Sequence, residues 1–329
     1  MLQVNHFMPT MMRYVVRGFA VIATVLWALL AARVAIAQSP SSKPAGAENV
    51  SLTTRDGLVL KAAYYAAPDD TETGTKTGKQ TVPVLMLHDH KSSRNVFDAL
   101  AKSFQSKGYS VIVPDLRGHG ESTKFVNSPR RDLEAAKLRP QDFVDMLQYD
   151  LRAVRKFLVG KNDEGELNLN RLCLVGAEMG AVLAVNWTAQ DWSWPDLPGA
   201  KQGRDVKALI LISPEWAFKR LRISNALAQR DLKSDRISFL LLVGGRNSKA
   251  VASAKRIYKS LAPFHVHAEH DEPVDFKIHT LFLAEIETSL QGTKLLAVPG
   301  VDFANDLAEF FKQRGAEPDF PWTERRRGG

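Results

Sequence analysis

The sequence LCLVGAEMGAVLAVN, residues 172–186, joins an apolar run to a helix pattern through two glycines. Residues 172–175 are continuously apolar, which is typical of a strand covered on both faces of a parallel sheet. Gly176 and Gly180 follow, and a Cβ at either position would collide where a strand and a helix backbone approach closely. The stretch therefore predicts a strand, a sharp turn at Glu178 and a helix packed directly on the sheet.

Similar apolar runs alternate with helix patterns on both sides of this unit. An antiparallel hairpin, Val50 to Thr54 and Leu58 to Tyr65, is predicted first because Asp56-Gly57 favours a tight turn. Alternation of strands and helices indicates an α/β fold with a mostly parallel sheet and helices on both faces. The predicted strands are Val82 to His88, Ser110 to Pro114, Arg171 to Val175, Val206 to Ser213, Ile237 to Val243 and His279 to Glu287. The predicted helices are Asn95 to Ser106, Asp142 to Leu158, Ala181 to Gln190, Ser248 to Leu261 and Val301 to Arg314.

The composition of the 329 residues, 45% hydrophobic and 24% charged, is that of a globular protein and excludes collagen-like and wholly disordered classes. The single cysteine, Cys173, cannot form an internal disulfide or a cysteine-rich zinc site. The formal charge is +8, and residues 325–327 form a short basic end that we expect to be solvated. Because no basic stripe with interleaved aromatic residues is present, no nucleic-acid partner is predicted.

The N-terminal residues have the order of a secretory signal: basic residues, an uncharged apolar run at 18–32 and small residues up to Ala37. The apolar run is shorter than the roughly 20 residues of a membrane span. We therefore predict a signal peptide at 1–37, a linker at 38–48, a folded domain at 49–315 and a C-terminal tail at 316–329. Export to the periplasm, cell envelope or extracellular space follows, with membrane contact only if the leader stays uncleaved as an anchor.

Three loops that follow predicted strands carry chemically notable residues, and ligands of parallel sheets bind at this strand edge. His88-Asp89-His90 follows the third strand, an Asp-x-Arg-Gly-x-Gly-x-Ser motif at 115–122 follows the fourth, and Gly-x-Glu-x-Gly at 176–180 follows the fifth. Their order and spacing resemble the lipase and serine-aminopeptidase-like branch of the α/β-hydrolase family over roughly residues 50–315. The resemblance implies an α/β-hydrolase fold with a short lid region, a nucleophile elbow at 176–180 and a conserved turn formed by Asp115, Arg117, Gly118 and Gly120.

The chain departs from this family at all three positions of the catalytic triad. Glu178 stands where the family's Gly-x-Ser-x-Gly has the serine nucleophile. Asn247 takes the place of the acid after the strand that ends near Val243, and Gln291 takes the place of the histidine before Gly-Thr. Acyl transfer needs an activated nucleophile and a base within reach, and neither residue type is present at these positions. The three triad-equivalent positions therefore predict loss of hydrolysis.

The resemblance also implies an oxyanion hole formed by the backbone N–H groups of His90 and Met179. These donors survive side-chain replacement, but a carboxylate at Glu178 about 4 Å from an oxyanion would cost roughly 4 kcal/mol, or about a thousandfold in rate. The N-terminus of the following helix should stabilise that carboxylate as an anion. We therefore expect very slow ester cleavage.

Alternative roles for this site remain open from the sequence. In one alternative Glu178 is a carboxylate nucleophile, one methylene longer than the aspartate that haloalkane dehalogenases of the same family use. In another, Glu178 fills the oxyanion hole as a built-in anion. His90 forms an ion pair with Glu178, or the two residues bind a metal or move a proton. An unrecognised serine, such as Ser92 or Ser93, is the remaining candidate nucleophile.

Other candidate residues favour structural interpretations. His265, His267 and His270, followed by Asp271 and Glu272, resemble a metal cluster, but ordinary surface histidines are the preferred interpretation. Four tryptophans follow the elbow helix in the region of the family's lid, where they line a small apolar pocket or pack a short lid: Trp187, Trp192, Trp194 and Trp216.

Together these observations predict an exported, catalytically degenerate α/β-hydrolase homologue with a binding or scaffold role. Its expected partner is a small apolar ligand or a protein, and no cofactor or metal is predicted. The alternative is an active hydrolase of the esterase or lipase type on a small ester, amide or halide, using Glu178 or an atypical site.

Overall fold

The computed structural model describes residues 46–68, 78–126, 132–195, 197, 201–268 and 274–325. The predicted leader, its cleavage site and most of the linker lie outside these ranges. No helix within the described ranges is long and apolar enough to cross a membrane. The described residues form ten strands: β1 Glu48–Thr53, β2 Val59–Tyr65, β3 Pro83–Leu87, β4 Ser110–Pro114, β5 Leu172–Ala177, β6 Val206–Ile212, β7 Ala217–Phe218, β8 Leu221–Arg222, β9 Ser238–Gly244 and β10 Leu281–Ile286.

Eight of these strands form one sheet in the order β1-β2-β4-β3-β5-β6-β9-β10, while β7 and β8 form a separate short ribbon. The hairpin β1-β2 and the β2-β4 pair are antiparallel. All pairs from β4 to β10 along the order are parallel. This arrangement confirms the predicted mostly parallel sheet with an N-terminal antiparallel hairpin.

Helices cover both faces of the sheet, and alternate side chains of the strands contribute to two separate cores. Along β5, Leu172 and Leu174 join the core beneath α3, α4 and α6. Cys173 and Val175 join the core on the other face with α1 and α7, and this burial agrees with a structural thiol. The helices are α1 Asp98–Ser106, α2 Pro140–Asp145, α3 Leu151–Asp163, α4 Met179–Ser193, α5 Ser224–Leu227, α6 Ser248–Leu261 and α7 Phe303–Phe311.

The predicted single helix from Asp142 to Leu158 is interrupted by a π-helical turn, Met146–Asp150, between α2 and α3. Asp150 at the end of this turn is fully buried and pairs with Arg117, with 2.7 Å between Arg117 Nη2 and Asp150 Oδ1. The wider turn lets Asp150 face the core, which a regular amphipathic pattern does not predict. The short elements β7, β8 and α5 were also not predicted, because two to four residues carry too little periodicity.

The turn after β4, which carries the family turn motif, is held by its own charged residues. Asp115 accepts hydrogen bonds from the backbone N–H of Arg94 at 2.7 Å and of Glu121 at 3.0 Å. Gly120 lies against the Asp115 carboxylate so closely that a Cβ there would overlap it. Arg117 is buried between Asp150 and Asp56, and Gly118 adopts a φ of 74°. The motif therefore positions the loop beside the elbow through structural contacts.

The C-terminal residues pack against the body of the domain up to Arg325. The Arg325 side chain is 2% exposed, and its Nη2 lies 2.7 Å from Oδ1 of the fully buried Asp205. Trp322 Nε1 donates to the carbonyl of Asn162 at 3.1 Å. The expectation of a solvated basic end is therefore wrong for Arg325, because a buried carboxylate upstream needs its charge; residues 326 and 327 lie outside the described ranges.

Replacing Arg325 with Gln should lower the free energy of unfolding by about 2–4 kcal/mol, because removing one partner of a buried ion pair leaves a poorly compensated charge. Arg246→Gln is the matched control, since Arg246 and Glu287 are 64% and 84% exposed. An exposed pair contributes less than about 1 kcal/mol. Denaturant unfolding of both variants provides the measurement, and equal effects would contradict a structural role for Arg325.

Candidate active site

Two close backbone approaches create the sharp turn at Glu178. A Cβ on Gly180 would overlap the carbonyl oxygen of Leu87 in β3, and one on Gly176 would lie 2.5 Å from the carbonyl oxygen of Gly180. Between them Glu178 adopts a φ of 47° and a ψ of −106°, a conformation that L residues rarely occupy. The predicted steric role of both glycines is confirmed, and the strained turn lifts the Glu178 side chain above the sheet.

The Glu178 carboxyl group lies between the loop after β3 and the segment that follows β10. A Cβ on Gly292 would be 2.8 Å from Glu178 Oε1, so the glycine leaves room for the carboxyl group. Burial, a side-chain hydrogen bond to Asp89 and the nearby charges of Asp89 and Glu215 raise the pKa of Glu178 to about 8, against the opposing effect of Lys294. The expectation of a stable anion is therefore wrong: burial, followed by the contact with Asp89, keeps a proton on Glu178 near neutral pH.

Asp89 also occupies part of the predicted oxyanion hole. Its Oδ1 accepts a hydrogen bond from the backbone N–H of His90, one of the two donors that family resemblance assigned to the hole. Met179, the other residue, begins α4, where N–H groups have no acceptor within the helix. The His90 donor is therefore bound by Asp89, and the described hydrogen bonds do not place Glu178 in the hole, where one alternative had it.

Gln291 is hydrogen-bonded to two neighbouring residues at the carboxyl end of the sheet. Its Oε1 accepts a hydrogen bond from Ser213 Oγ at 2.8 Å, and its Nε2 donates to the carbonyl of Gly244 at 2.9 Å. The Ser213 hydroxyl in turn accepts from the backbone N–H of Gly292 at 2.9 Å. An amide has no basic lone pair to accept a proton, so Gln291 acts as a structural cross-link at this position.

Asn247 begins α6 as its N-cap residue, and its Oδ1 accepts the backbone N–H of Ala250 at 3.1 Å. Its side chain therefore satisfies a helix terminus, a role for which asparagine and aspartate are both favoured. Asn247, Gln291 and Glu178 nevertheless line one cavity of about 690 Å³. The structure thus brings the three triad-equivalent positions to a common pocket, and the other side chains in its lining include Glu215, Trp216, Lys249 and Arg256.

His90 pairs with a second histidine at the edge of this region. His119 Nδ1 lies 2.9 Å from the carbonyl of Arg117 and therefore carries its hydrogen, which leaves Nε2 as the acceptor for His90 Nδ1 at 3.2 Å. Burial lowers the pKa of both rings, and His90 also contacts the rings of Phe143 and Phe218. The described hydrogen bond of the His90 ring is to His119, in place of the expected ion pair with Glu178.

The remaining histidine candidates have structural contacts. His265 is buried, with Nε2 2.8 Å from the carbonyl of Leu232 and Nδ1 3.2 Å from Thr280 Oγ1. His267 Nδ1 lies 2.8 Å from the carbonyl of His265. Residues 270–272 lie outside the described ranges, and among the residues inside them no group of three or more histidine, cysteine, aspartate or glutamate side chains is placed to hold a metal ion.

Trp187 and Trp192 are buried within α4, so the expectation that they follow the elbow helix is wrong, whereas Trp216 lines the pocket. The guanidinium of Arg256 lies 3.8 Å from the centre of its ring. Trp187 packs edge-on against Trp194, and Trp192 Nε1 donates to the carbonyl of Val206 at 2.9 Å. Sequence reasoning missed Asp89 as the partner of Glu178, and it also missed Glu215 and Arg256, because nothing in their local sequence marks them as pocket residues.

Comparisons with known proteins agree with this fold and motif order. The family model described as "Serine aminopeptidase, S33" matches residues 78–256, more than half of the chain. The chain belongs to this family. No curated protein sequence matches the chain.

Solved structures show the same α/β-hydrolase fold. An esterase from Pyrococcus furiosus has a TM-score of 0.54 at 16% identity, covering 82% of this chain and 91% of that one. An acylaminoacyl peptidase from Pyrococcus horikoshii has a TM-score of 0.53 at 14% identity, covering 85% of this chain and 44% of that one. An esterase from Exiguobacterium antarcticum has a TM-score of 0.50 at 15% identity, covering 80% of this chain and all of that one (100%). At such identities the likeness concerns the fold.

The raised pKa of Glu178 predicts a pH-dependent effect of Glu178→Gln on stability. The native protein holds a proton on Glu178 up to its raised pKa of about 8, whereas in the unfolded chain the carboxyl group loses it near its ordinary pKa of 4.5. The native state of the wild type therefore loses stability as pH rises from about 4.5 to 8. The Gln variant lacks this loss, so its stability relative to the wild type should increase across that interval.

Chemical unfolding at pH 5, 7 and 9 measures this difference. Glu324→Gln is the control, because Glu324 is exposed and outside the pocket. Its stability difference from the wild type should stay constant with pH. A constant difference for Glu178→Gln as well would show that Glu178 does not hold this proton.

Proposed function

We propose that this protein is an exported α/β-hydrolase-fold protein that has lost acyl-transfer catalysis and uses the pocket above Glu178 for binding. The observation that carries the proposal is the state of the elbow: a carboxyl group, hydrogen-bonded to Asp89, stands at the strained position above the sheet. A protonated carboxyl group is a poor nucleophile, so the turn presents a group unsuited to attack on an ester.

The positions of the general base and the oxyanion hole are also unsuited to acyl transfer. Gln291 has no proton-accepting nitrogen and is already bonded to Ser213 and Gly244. The His90 N–H donates to the Asp89 side chain, so a developing oxyanion would have to displace a carboxylate from it. Electrostatic stabilisation of the oxyanion is usually the largest single contribution to such catalysis, and here it is opposed by negative charge.

The pocket itself supports a binding role. Its volume of about 690 Å³ is in the range that holds a small molecule. Trp216 provides an aromatic surface backed by Arg256, while Glu215 and Lys249 add charges of both signs. We therefore propose that the small apolar ligand expected from the sequence packs on Trp216 and carries polar groups that meet the charged lining. If the protein acts as a scaffold, its partner is a protein that binds at the mouth of this pocket.

One observation favours a second candidate function, a hydrolase that uses the carboxyl pair. A carboxyl group with a pKa near 8 beside a second carboxyl group is the arrangement that acid–base catalysts use near neutral pH. In that case Glu178 would donate a proton to a leaving group and Asp89 would help to orient it. Activity measurements separate the two functions.

Purified protein should not hydrolyse p-nitrophenyl acetate or butyrate above the rate of a Glu178→Ala control, and a fluorophosphonate probe should label no serine. Glu178→Ser alone should also be inactive, because Gln291 still cannot accept the proton. Turnover that Glu178→Ala abolishes would establish the carboxyl-pair hydrolase. Labelling at Ser92 or Ser93, or recovery of activity in Glu178→Ser, would reveal an intact nucleophile or base elsewhere.

Export rests on the basic, apolar and small-residue order of residues 17–37. Protein recovered from the exported fraction of the producing cells should begin at Gln38 when its N-terminus is sequenced. Ala37→Phe should block this cleavage, because signal processing requires small residues at the site. An exported protein that retains residues 1–37 and sediments with membranes would instead establish the anchored form.

A further inference from the structure

A second cavity, of about 830 Å³, lies where the end of β1 meets the π-helical turn and α3. We call it the α3 groove and define it by six of its lining residues, Thr53, Arg55, Tyr149, Arg152, Lys156 and Gln190. It shares no lining residue with the Glu178 pocket. The groove is therefore a separate site that the proposed function does not use.

The α3 groove has charge of one sign. Its lining contains Arg55, Arg152 and Lys156 and no carboxylate. In contrast, the Glu178 pocket carries acidic and basic residues together, and so does the cavity beside α7. A cleft lined by charges of one sign concentrates the field and raises the local concentration of counter-ions. Of these three cavities, the α3 groove is the one that attracts anions.

The cations of the groove keep their hydrogen-bond donors available. Within the described ranges, Arg55 and Lys156 have no ion-pair or hydrogen-bond partner, and Arg152 has only a ring contact, at 6.0 Å, with Trp194. Arg155 on the same helix differs, because its Nη2 lies 3.0 Å from Asp205 Oδ2. On α3, therefore, Arg155 is paired with a buried carboxylate, whereas Arg152 and Lys156 line the groove without an ion pair.

Three carboxylates next to groove residues in the sequence or within the same turn pair with Arg117. Asp56, Asp145 and Asp150 lie 3.0, 3.5 and 2.7 Å from Arg117, which is itself buried. These pairs also fix the π-helical turn, whose Tyr149 ring lies 5.6 Å from the Arg117 guanidinium. Ion pairs with the buried Arg117 therefore hold one wall of the groove in place. The carboxylates of these pairs do not contact the cations of the groove directly.

The lining indicates the chemistry of a ligand. Val144, Leu147 and Ala153 add apolar surface beside the three cations. Guanidinium groups bind phosphate oxygens in pairs, and a phosphate monoester carries about −1.5 to −2 charges at neutral pH, which suits three cations better than a single carboxylate does. We propose that the α3 groove binds a phosphate monoester whose organic part packs on this apolar surface.

Titration of the full-length protein with n-octyl phosphate at low ionic strength tests the site. Binding should be saturable, and uncharged octyl glucoside should not bind. In Arg152→Gln/Lys156→Gln the affinity should fall at least about tenfold, because hydrogen bonds to a charged group are lost. Arg230→Gln/Lys259→Gln removes the same charge from exposed positions outside the groove and should change the affinity less than about twofold.

Two further ligands distinguish the source of the phosphate group. Binding of octyl phosphate and inorganic phosphate without binding to vesicles of phosphatidic acid in phosphatidylcholine supports a soluble monoester. Binding to the vesicles that the groove variant weakens supports a lipid headgroup. Lack of saturable binding, equal affinity for octanoate, or equal weakening by the two double variants would overturn the proposal.

Discussion

The candidate site depends on one steric constraint, the contact of α4 with the ends of β3 and β5. Gly180 touches the carbonyl of Leu87 and Gly176 touches the backbone of Gly180, so the intervening residue must bend sharply with a positive φ. This backbone geometry does not depend on which side chain stands at 178. In the family's Gly-x-Ser-x-Gly motif this turn presents a serine hydroxyl, and in this chain it presents the carboxyl group of Glu178.

Change at one position has altered the electrostatics of its neighbours. Glu178 lies beside Asp89, and mutual repulsion in a partly buried site is relieved by retaining a proton. Asp89 in turn uses its other contacts to hold the His90 backbone. Around them Gln291 and Ser213 form a neutral hydrogen-bonded cross-link between β9 and the segment after β10. The result is a polar network whose members hydrogen-bond one another at the carboxyl end of the sheet.

Sequence patterns predicted the sheet, its antiparallel hairpin and the elbow because each depends on local periodicity or on a glycine that only close packing explains. Ser110–Pro114 and Ser248–Leu261 were predicted with the bounds that the structure shows. Asp89, Glu215 and Arg256 could not be assigned, since their importance arises from neighbours far away in sequence. The same holds for Asp150, whose buried partner Arg117 explains the π-helical turn, and for Arg325, which looks like part of an ordinary basic tail.

The buried contact of Arg325 with Asp205 also concerns how the chain acquires its structure. Asp205 lies immediately before the central strand β6, and one of its counter-charges is supplied from 120 residues further along. During synthesis Asp205 can pair with Arg155 and Lys201 as soon as these residues have been made, whereas its contact with Arg325 can form only after residue 325 has left the ribosome. The ion pairs at the start of β6 are therefore completed late in synthesis.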